Sequence, residues 1–160
     1  VFFLFSCVTV YLLREEDLKF FLLILLICVS TDIGGYIFGK ILKGPKLTKI
    51  SPNKTYAGMF GGFLLSVIFT NIFLNNLVSF NLSFKNEKVD TITEVSLILI
   101  VSFISQLGDI LISHFKRKSK VKNTGKLLPG HGGLLDRVDG IIFAIPSVYI
   151  INLIYIFLLK

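Results

Sequence analysis

The chain is expected to fold as an all-α, polytopic bundle of membrane helices, with four full spans and one partial helix at its N-terminal end. Three observations predict this. Hydrophobic residues make up 53% of the 160 residues and charged residues only 17%, where a globular domain carries roughly 25% charged. The mean hydropathy is +0.78, with 16 Phe and no Trp, far too apolar for a solvated disordered chain. The apolar residues are gathered into long runs divided by charged loops. Both cysteines, Cys7 and Cys28, lie inside such runs, which excludes a secreted disulfide scaffold.

Crossing roughly 30 Å of hydrocarbon at 1.5 Å per residue takes about 20 residues. The first run, Val1–Leu13, is too short to span comfortably and begins with Val. It reads as the surviving end of a helix cut at its N-terminus. A cleaved signal peptide is the competing reading, and it lacks a basic n-region and a small-residue cleavage site. The full spans follow at Lys19–Lys40, Ala57–Leu74, Val95–Ser113 and Gly140–Leu159. Pro146 is expected to kink the last one or to begin its regular part.

The loops between the spans alternate in charge. Arg14-Glu15-Glu16-Asp17 is net acidic, whereas Lys40 to Thr55 carries Lys40, Lys43, Lys46, Lys49 and Lys54 with no acid. Asn75 to Thr93 balances Lys85 and Lys88 against Glu87 and Asp90. His114 to Arg137 then sets Lys116, Arg117, Lys118, Lys120, Lys122, Lys126 and Arg137 against Asp136 alone. The two basic loops, about 41–56 and 114–138, are two spans apart and so share a face, which the positive-inside rule makes cytoplasmic. The net charge of +7 resides mostly in these loops. It calls for no nucleic acid, because an anionic lipid surface attracts the same charges. With no internal repeat or soluble segment, residues 1–160 read as a single membrane-embedded domain, truncated at its N-terminus.

Four acids fall inside or at the edge of the spans: Asp32, Asp109, Asp136 and Asp139. An ionisable group in hydrocarbon costs at least about 2.5–3.5 kcal/mol, so each should face the bundle interior with a partner. Asp32 precedes Lys40, and Asp109 precedes Lys116, by about two helical turns, or roughly 10–12 Å. Asp136 and Asp139 open the last span from the same side. All four therefore share one shallow depth. Asp136 and Asp139 are i, i+3 neighbours on one face of a helix start. Asp109, Ser113 and Lys116 form a polar stripe, as do Asp32, Tyr36 and Lys40. Gly34, Gly35 and Gly39 lie beside the second stripe, and Ala57, Gly58, Gly61 and Gly62 give the next span a similar small-residue face for close helix approach.

Clustered carboxylates without a Cys or His set suit a hard cation, Mg²⁺ first, with a second cation an open addition. Structural ion pairs are the alternative: Asp109 or Asp139 with Arg137, and Asp32 with a lysine. The stretch Pro129-Gly130-His131-Gly132-Gly133 follows a lysine-rich run and precedes Asp136-Arg137-Val138-Asp139. Consecutive glycines let backbone N–H groups approach an anion, and a following helix N-terminus favours it. Lys116, Arg117 and Lys122 add charge toward a polyphosphate. A bridging divalent cation reconciles Asp136 with a phosphate beside it, so the combination describes a nucleoside triphosphate site. A plain turn at the glycines, and lysines that only set topology, are the competing readings. His131 could touch a phosphate, act as a base or cap the turn.

Ser113-His114-Phe115-Lys116-Arg117, then Lys122, Gly125 and the run Leu128-Pro129-Gly130-His131-Gly132-Gly133-Leu134-Leu135-Asp136-Arg137-Val138-Asp139 resemble the diagnostic pattern of the phosphatidate cytidylyltransferase (CDP-diacylglycerol synthase) family. Gln106-Leu107-Gly108-Asp109, the Ser51-Pro52-Asn53-Lys54-Thr55 block and the Asp32-to-Lys40 run are similar to further blocks of that family. The resemblance covers residues from about 30 onward. Asn123 stands where the family usually has Asp, and Ala57 where many members have Glu.

The resemblance implies a metal-dependent nucleotidyltransferase that moves a cytidylyl group from CTP to phosphatidic acid, giving CDP-diacylglycerol and pyrophosphate. It implies Asp109, Asp136 and Asp139 at the metal site, with Lys122 beside them in catalysis. The substrates would be held by Ser113, Lys116, Arg117, Gly130, His131, Gly132, Gly133 and Arg137. Ser51, Lys54 and Thr55 would contact substrate phosphate from the other basic loop, with Asp32 a further member. The expected setting is the bacterial inner (cytoplasmic) membrane, with the site facing the cytoplasm and a homodimer an open assembly state. Another CTP-dependent lipid enzyme, such as a polyprenol kinase, and a cation-coupled transporter are the alternatives.

Overall fold

The computed structural model describes residues 2–48, 54–76, 83–84, 87–88, 91–119 and 139–158. Helix α1 (Phe2–Glu16) stops where Asp17 adopts an extended backbone. The Asp17 carboxylate accepts from the amides of Lys19 (2.9 Å) and Phe20 (3.2 Å), capping the otherwise unsatisfied first turn of α2 (Leu18–Leu42). Helix α2 ends at Lys43, whose left-handed backbone (φ 43°) turns the chain into Gly44-Pro45, and proline cannot continue the helix.

The basic loop then folds back on itself. Leu47 N donates to Lys54 O at 2.7 Å and Tyr56 N to Pro45 O at 3.1 Å, around an isolated bridge between Lys46 and Thr55. The Thr55 hydroxyl accepts from Gly58 N at 3.1 Å and caps α3 (Tyr56–Asn76). A small antiparallel hairpin, β1 (Ser83–Phe84) with β2 (Glu87–Lys88), precedes α4 (Thr91–Lys118) and α5 (Asp139–Leu158). That hairpin holds the only strands among the described residues, and with the Lys46–Thr55 bridge it is the departure from an all-α chain.

Helices α2, α3 and α4 are long and apolar enough to cross a membrane. The fourth expected span falls on α5, whose described apolar stretch, Asp139–Ile154, is shorter. Helix α1 has 15 residues. Exposed Leu22, Val29, Leu64, Phe69, Phe103 and Leu111 give the outer faces an apolar surface suited to lipid.

Two helix pairs, α2 with α3 and α4 with α5, are the most extensively packed. In the first pair the backbones almost touch: a Cβ on Gly34 would lie 2.9 Å from Gly62 Cα and closer still to the Gly61 carbonyl. Such contact between small residues is how helices associate where lipid offers no hydrophobic gain. The apolar core, including Leu13, Leu23, Ile24, Ile27, Leu74, Ile98, Val101, Ile145 and Val148, draws on all five helices. Polar stitches cross it. Thr31 and Ser102 share a buried hydrogen bond of 2.7 Å, and the Ser6 hydroxyl donates to Ile142 O at 3.2 Å.

Candidate active site

Four helix ends meet at one end of the bundle, where α2 and α4 finish and α3 and α5 begin. They enclose a cavity of about 420 Å³. Thr31, Asp32, Gly35 and Tyr36 line it from α2, and Leu47, Lys54 and Thr55 from the basic loop. Gly58 and Met59 contribute from α3, Gln106, Asp109, Ile110, Ser113 and Lys116 from α4, and Asp139 from the first turn of α5.

Close packing brings the acids together. A Cβ on Gly108 would meet Phe143 Cβ at 2.7 Å, and one on Gly140 would clash with the Ser105 hydroxyl and lie 3.0 Å from Asp109 Oδ1. The two glycines thus let α5 start directly against α4, which sets Asp139 and Asp109 on neighbouring walls. Each acid has a lysine. Lys54 Nζ lies 3.2 Å from Asp109 Oδ2, with side chains 29% and 24% exposed. Lys116 Nζ lies 2.5 Å from Asp139 Oδ2, with side chains only 13% and 9% exposed. Carboxylates so removed from water require a partner, and here lysines supply it, one from the facing loop and one from α4. Arg137, the partner expected for either acid, lies outside the described residues. Asp32 makes no ion pair among them.

Of the residues singled out in the sequence, Asp32, Lys54, Thr55, Asp109, Ser113, Lys116 and Asp139 line this single cavity. Arg117 follows Lys116 but is exposed in the last turn of α4 and is not part of the lining. Ser51, Lys122, Gly130, His131, Gly132, Gly133, Asp136 and Arg137 lie outside the described residues.

Gln106 and Thr31 are among the lining residues that the sequence reading did not assign to the site. Gln106 Nε2 donates to Met59 O at 3.3 Å, tying α4 to α3 beneath the cavity. Thr31 closes the floor through its bond to Ser102. A signal for Gln106 was present: Ser102, Gln106, Asp109, Ser113 and Lys116 recur at helical spacing and extend the polar stripe one turn deeper.

Among the described residues no group of three or more His, Cys, Asp or Glu side chains could hold a metal ion. Asp109 and Asp139 nonetheless offer hard carboxylate oxygens to one cavity, the donor chemistry that suits Mg²⁺. The third expected ligand, Asp136, lies just before α5. Two ammonium groups, a capped helix N-terminus and these carboxylates can together receive a polyanion with its counter-cation.

A polytopic helical chain with a charged cavity at one end is the class defined so far, and comparison with known proteins gives it a family. Residues 1–155 match the model of the cytidylyltransferase family, and the chain belongs to that family. Similar curated relatives are the phosphatidate cytidylyltransferases of Staphylococcus epidermidis, 39% identical over 142 residues, Staphylococcus haemolyticus, 41% identical, and Staphylococcus aureus, 43% identical. Each alignment covers 88% of this chain and 52% of the relative. The chain thus spans about half the length of the curated relatives it matches.

Proposed function

We propose that this chain transfers a cytidylyl group from CTP to phosphatidic acid, releasing pyrophosphate and forming CDP-diacylglycerol. The observation that carries this reading is the pairing of Lys54 with Asp109 and of Lys116 with Asp139 around one cavity at a helix end. The names of the relatives add their weight.

The acceptor is a phosphomonoester with a second pKa of about 6, so it is largely ionised near neutral pH and needs little help from a base. One of its oxygens attacks the α-phosphorus of CTP. The new P–O bond forms as the bond to the β-phosphate bridging oxygen breaks, and pyrophosphate leaves with that electron pair. The barrier is repulsion between two polyanions, which positioned cations relieve while holding them in line. Lys54 and Lys116 bind phosphate oxygens. Ser113 and Thr55 present hydroxyl donors, and the N-terminus of α3 adds its backbone dipole. Asp109 and Asp139, with Asp136, would hold Mg²⁺, which supplies neutralisation of phosphate charge. Lys122 and the Gly130–Gly133 backbone complete the nucleotide contacts in this reading. The cavity faces the cytoplasm of a bacterial inner membrane, where a soluble nucleotide and a lipid head group can meet.

The test is incubation of membranes containing the full-length protein with labelled CTP, phosphatidic acid and Mg²⁺. Label should enter a nucleotide-bearing lipid with release of pyrophosphate. Formation of CDP and a phosphorylated alcohol would assign a lipid kinase instead. Cation movement without CTP turnover would assign a transporter.

A further inference from the structure

One cation beside the cavity is left over by the pairs that build it. Lys40 stands one turn beyond Tyr36 on α2. Its Nζ donates to the Tyr36 hydroxyl at 3.3 Å and lies 5.5 Å from the centre of the Tyr36 ring. No carboxylate among the described residues pairs with Lys40, whereas the charges of Lys54 and Lys116 are met by Asp109 and Asp139. Held among the described residues by a hydroxyl and a ring, the ammonium has no paired carboxylate there to offset its attraction for an anion. The Tyr36 hydroxyl accepts from Lys40, so its own proton is free to be donated.

Position narrows the ligand. Tyr36 lines the cavity and is also exposed on the outer face of α2, next to exposed Ile33 and Ile37. Two phosphate donors at the cavity rim therefore adjoin an apolar strip leading along the span. Tyr and Lys are the side chains that place a polar tip at the head-group level and an apolar body below it. We propose that Tyr36 and Lys40 dock the phosphomonoester head of the lipid substrate, with Ile33 and Ile37 carrying its acyl chains. This rests on the function proposed above and adds a division of labour: Lys54 and Lys116 hold the nucleotide, and Tyr36 and Lys40 hold the acceptor.

The experiment uses the full-length protein in mixed micelles, varying CTP and dioctanoyl phosphatidate separately. Lys40→Gln should raise KM for the lipid about tenfold or more, the scale of a charge-assisted hydrogen bond, and leave KM for CTP within about twofold. Tyr36→Phe should act in the same direction by less, and Lys40→Arg should recover most of the loss. Lys43→Asn removes a neighbouring cation and keeps a residue that tolerates the left-handed backbone there; it should leave both constants unchanged. An equal rise in both constants, an unchanged lipid KM in Lys40→Gln, or the same lipid defect in Lys43→Asn would overturn the assignment. Binding of dioctanoyl phosphatidate and of inorganic phosphate, measured by calorimetry without CTP, separates the sources of the anion. The lipid should bind at least about tenfold more tightly, and equal affinities would make this a site for free anions and sink the lipid assignment. Absence of nucleotidyl lipid with the unmodified protein would refute the proposed function itself, and the same calorimetry on Lys40→Gln would still test the site: the variant should bind dioctanoyl phosphatidate about tenfold more weakly, and unchanged binding would overturn the assignment.

Discussion

Adjacent glycines on α2 make opposite predictions. In Gly34→Ala the new methyl group would meet backbone atoms of α3, at 2.9 Å from the Gly61 carbonyl carbon and 2.5 Å from its oxygen. Backbone cannot rotate aside as a side chain can. Restoring the 3.4 Å of ordinary contact requires α2 and α3 to part by about 0.9 Å along that line. Overpacking of this kind costs about 1–3 kcal/mol, and it falls where small residues are what lets the helices associate. In Gly35→Ala the methyl group meets only the Gly58 carbonyl oxygen, at 3.7 Å, and the helix gains up to about 1 kcal/mol from replacing glycine by alanine. The assay is thermal unfolding of the two full-length variants in one detergent. Gly34→Ala should unfold several degrees below the parent protein, at roughly 2–4 °C per kcal/mol for a chain of this size or somewhat larger. Gly35→Ala should stay at or above the parent. Equal unfolding temperatures for the two variants would refute the account of the α2–α3 contact.

Three further outcomes follow from the site and the core. Asp139→Asn breaks the more buried ion pair, with Lys116, and should destabilise the protein more than Asp109→Asn, which at the more exposed Lys54 pair should cost about 1 kcal/mol or less; denaturation of both variants checks the order. Ser105→Ala removes a buried hydroxyl that has no hydrogen-bond partner among the described residues, so its unfolding temperature should equal or exceed that of the parent. Asp136→Asn should insert and fold normally yet abolish CTP-dependent nucleotidyl transfer, and near-normal turnover with Mg²⁺ would count decisively against the proposed metal site.

Hydropathy made the helices legible because a bilayer forces each span to be continuously apolar and hydrogen-bonded within itself. It misplaced the ends of α4. That helix runs from Thr91 to Lys118 and not from Val95 to Ser113, since its first and last turns are polar and leave no hydropathic trace. The shared depth of Asp32, Asp109 and Asp139 could be counted from their distance to the basic loops, and one cavity holds all three. Their partners could not be counted in that way. Lys54 reaches Asp109 only because the loop folds back through the Lys46–Thr55 bridge, a tertiary event that residue spacing does not encode. Gly108 and Gly140 were equally opaque. Each matters through the neighbours it admits, Phe143 for Gly108 and Ser105 with Asp109 for Gly140.

The cavity opens on the seam between two firmly built halves, α2 with α3 and α4 with α5, and the Lys54–Asp109 contact bridges that seam. A molecule lodged there acts as a rivet: it touches both halves and resists their separation. Occupancy should therefore register as heat resistance, growing with the logarithm of ligand concentration above its dissociation constant, before any turnover is measured.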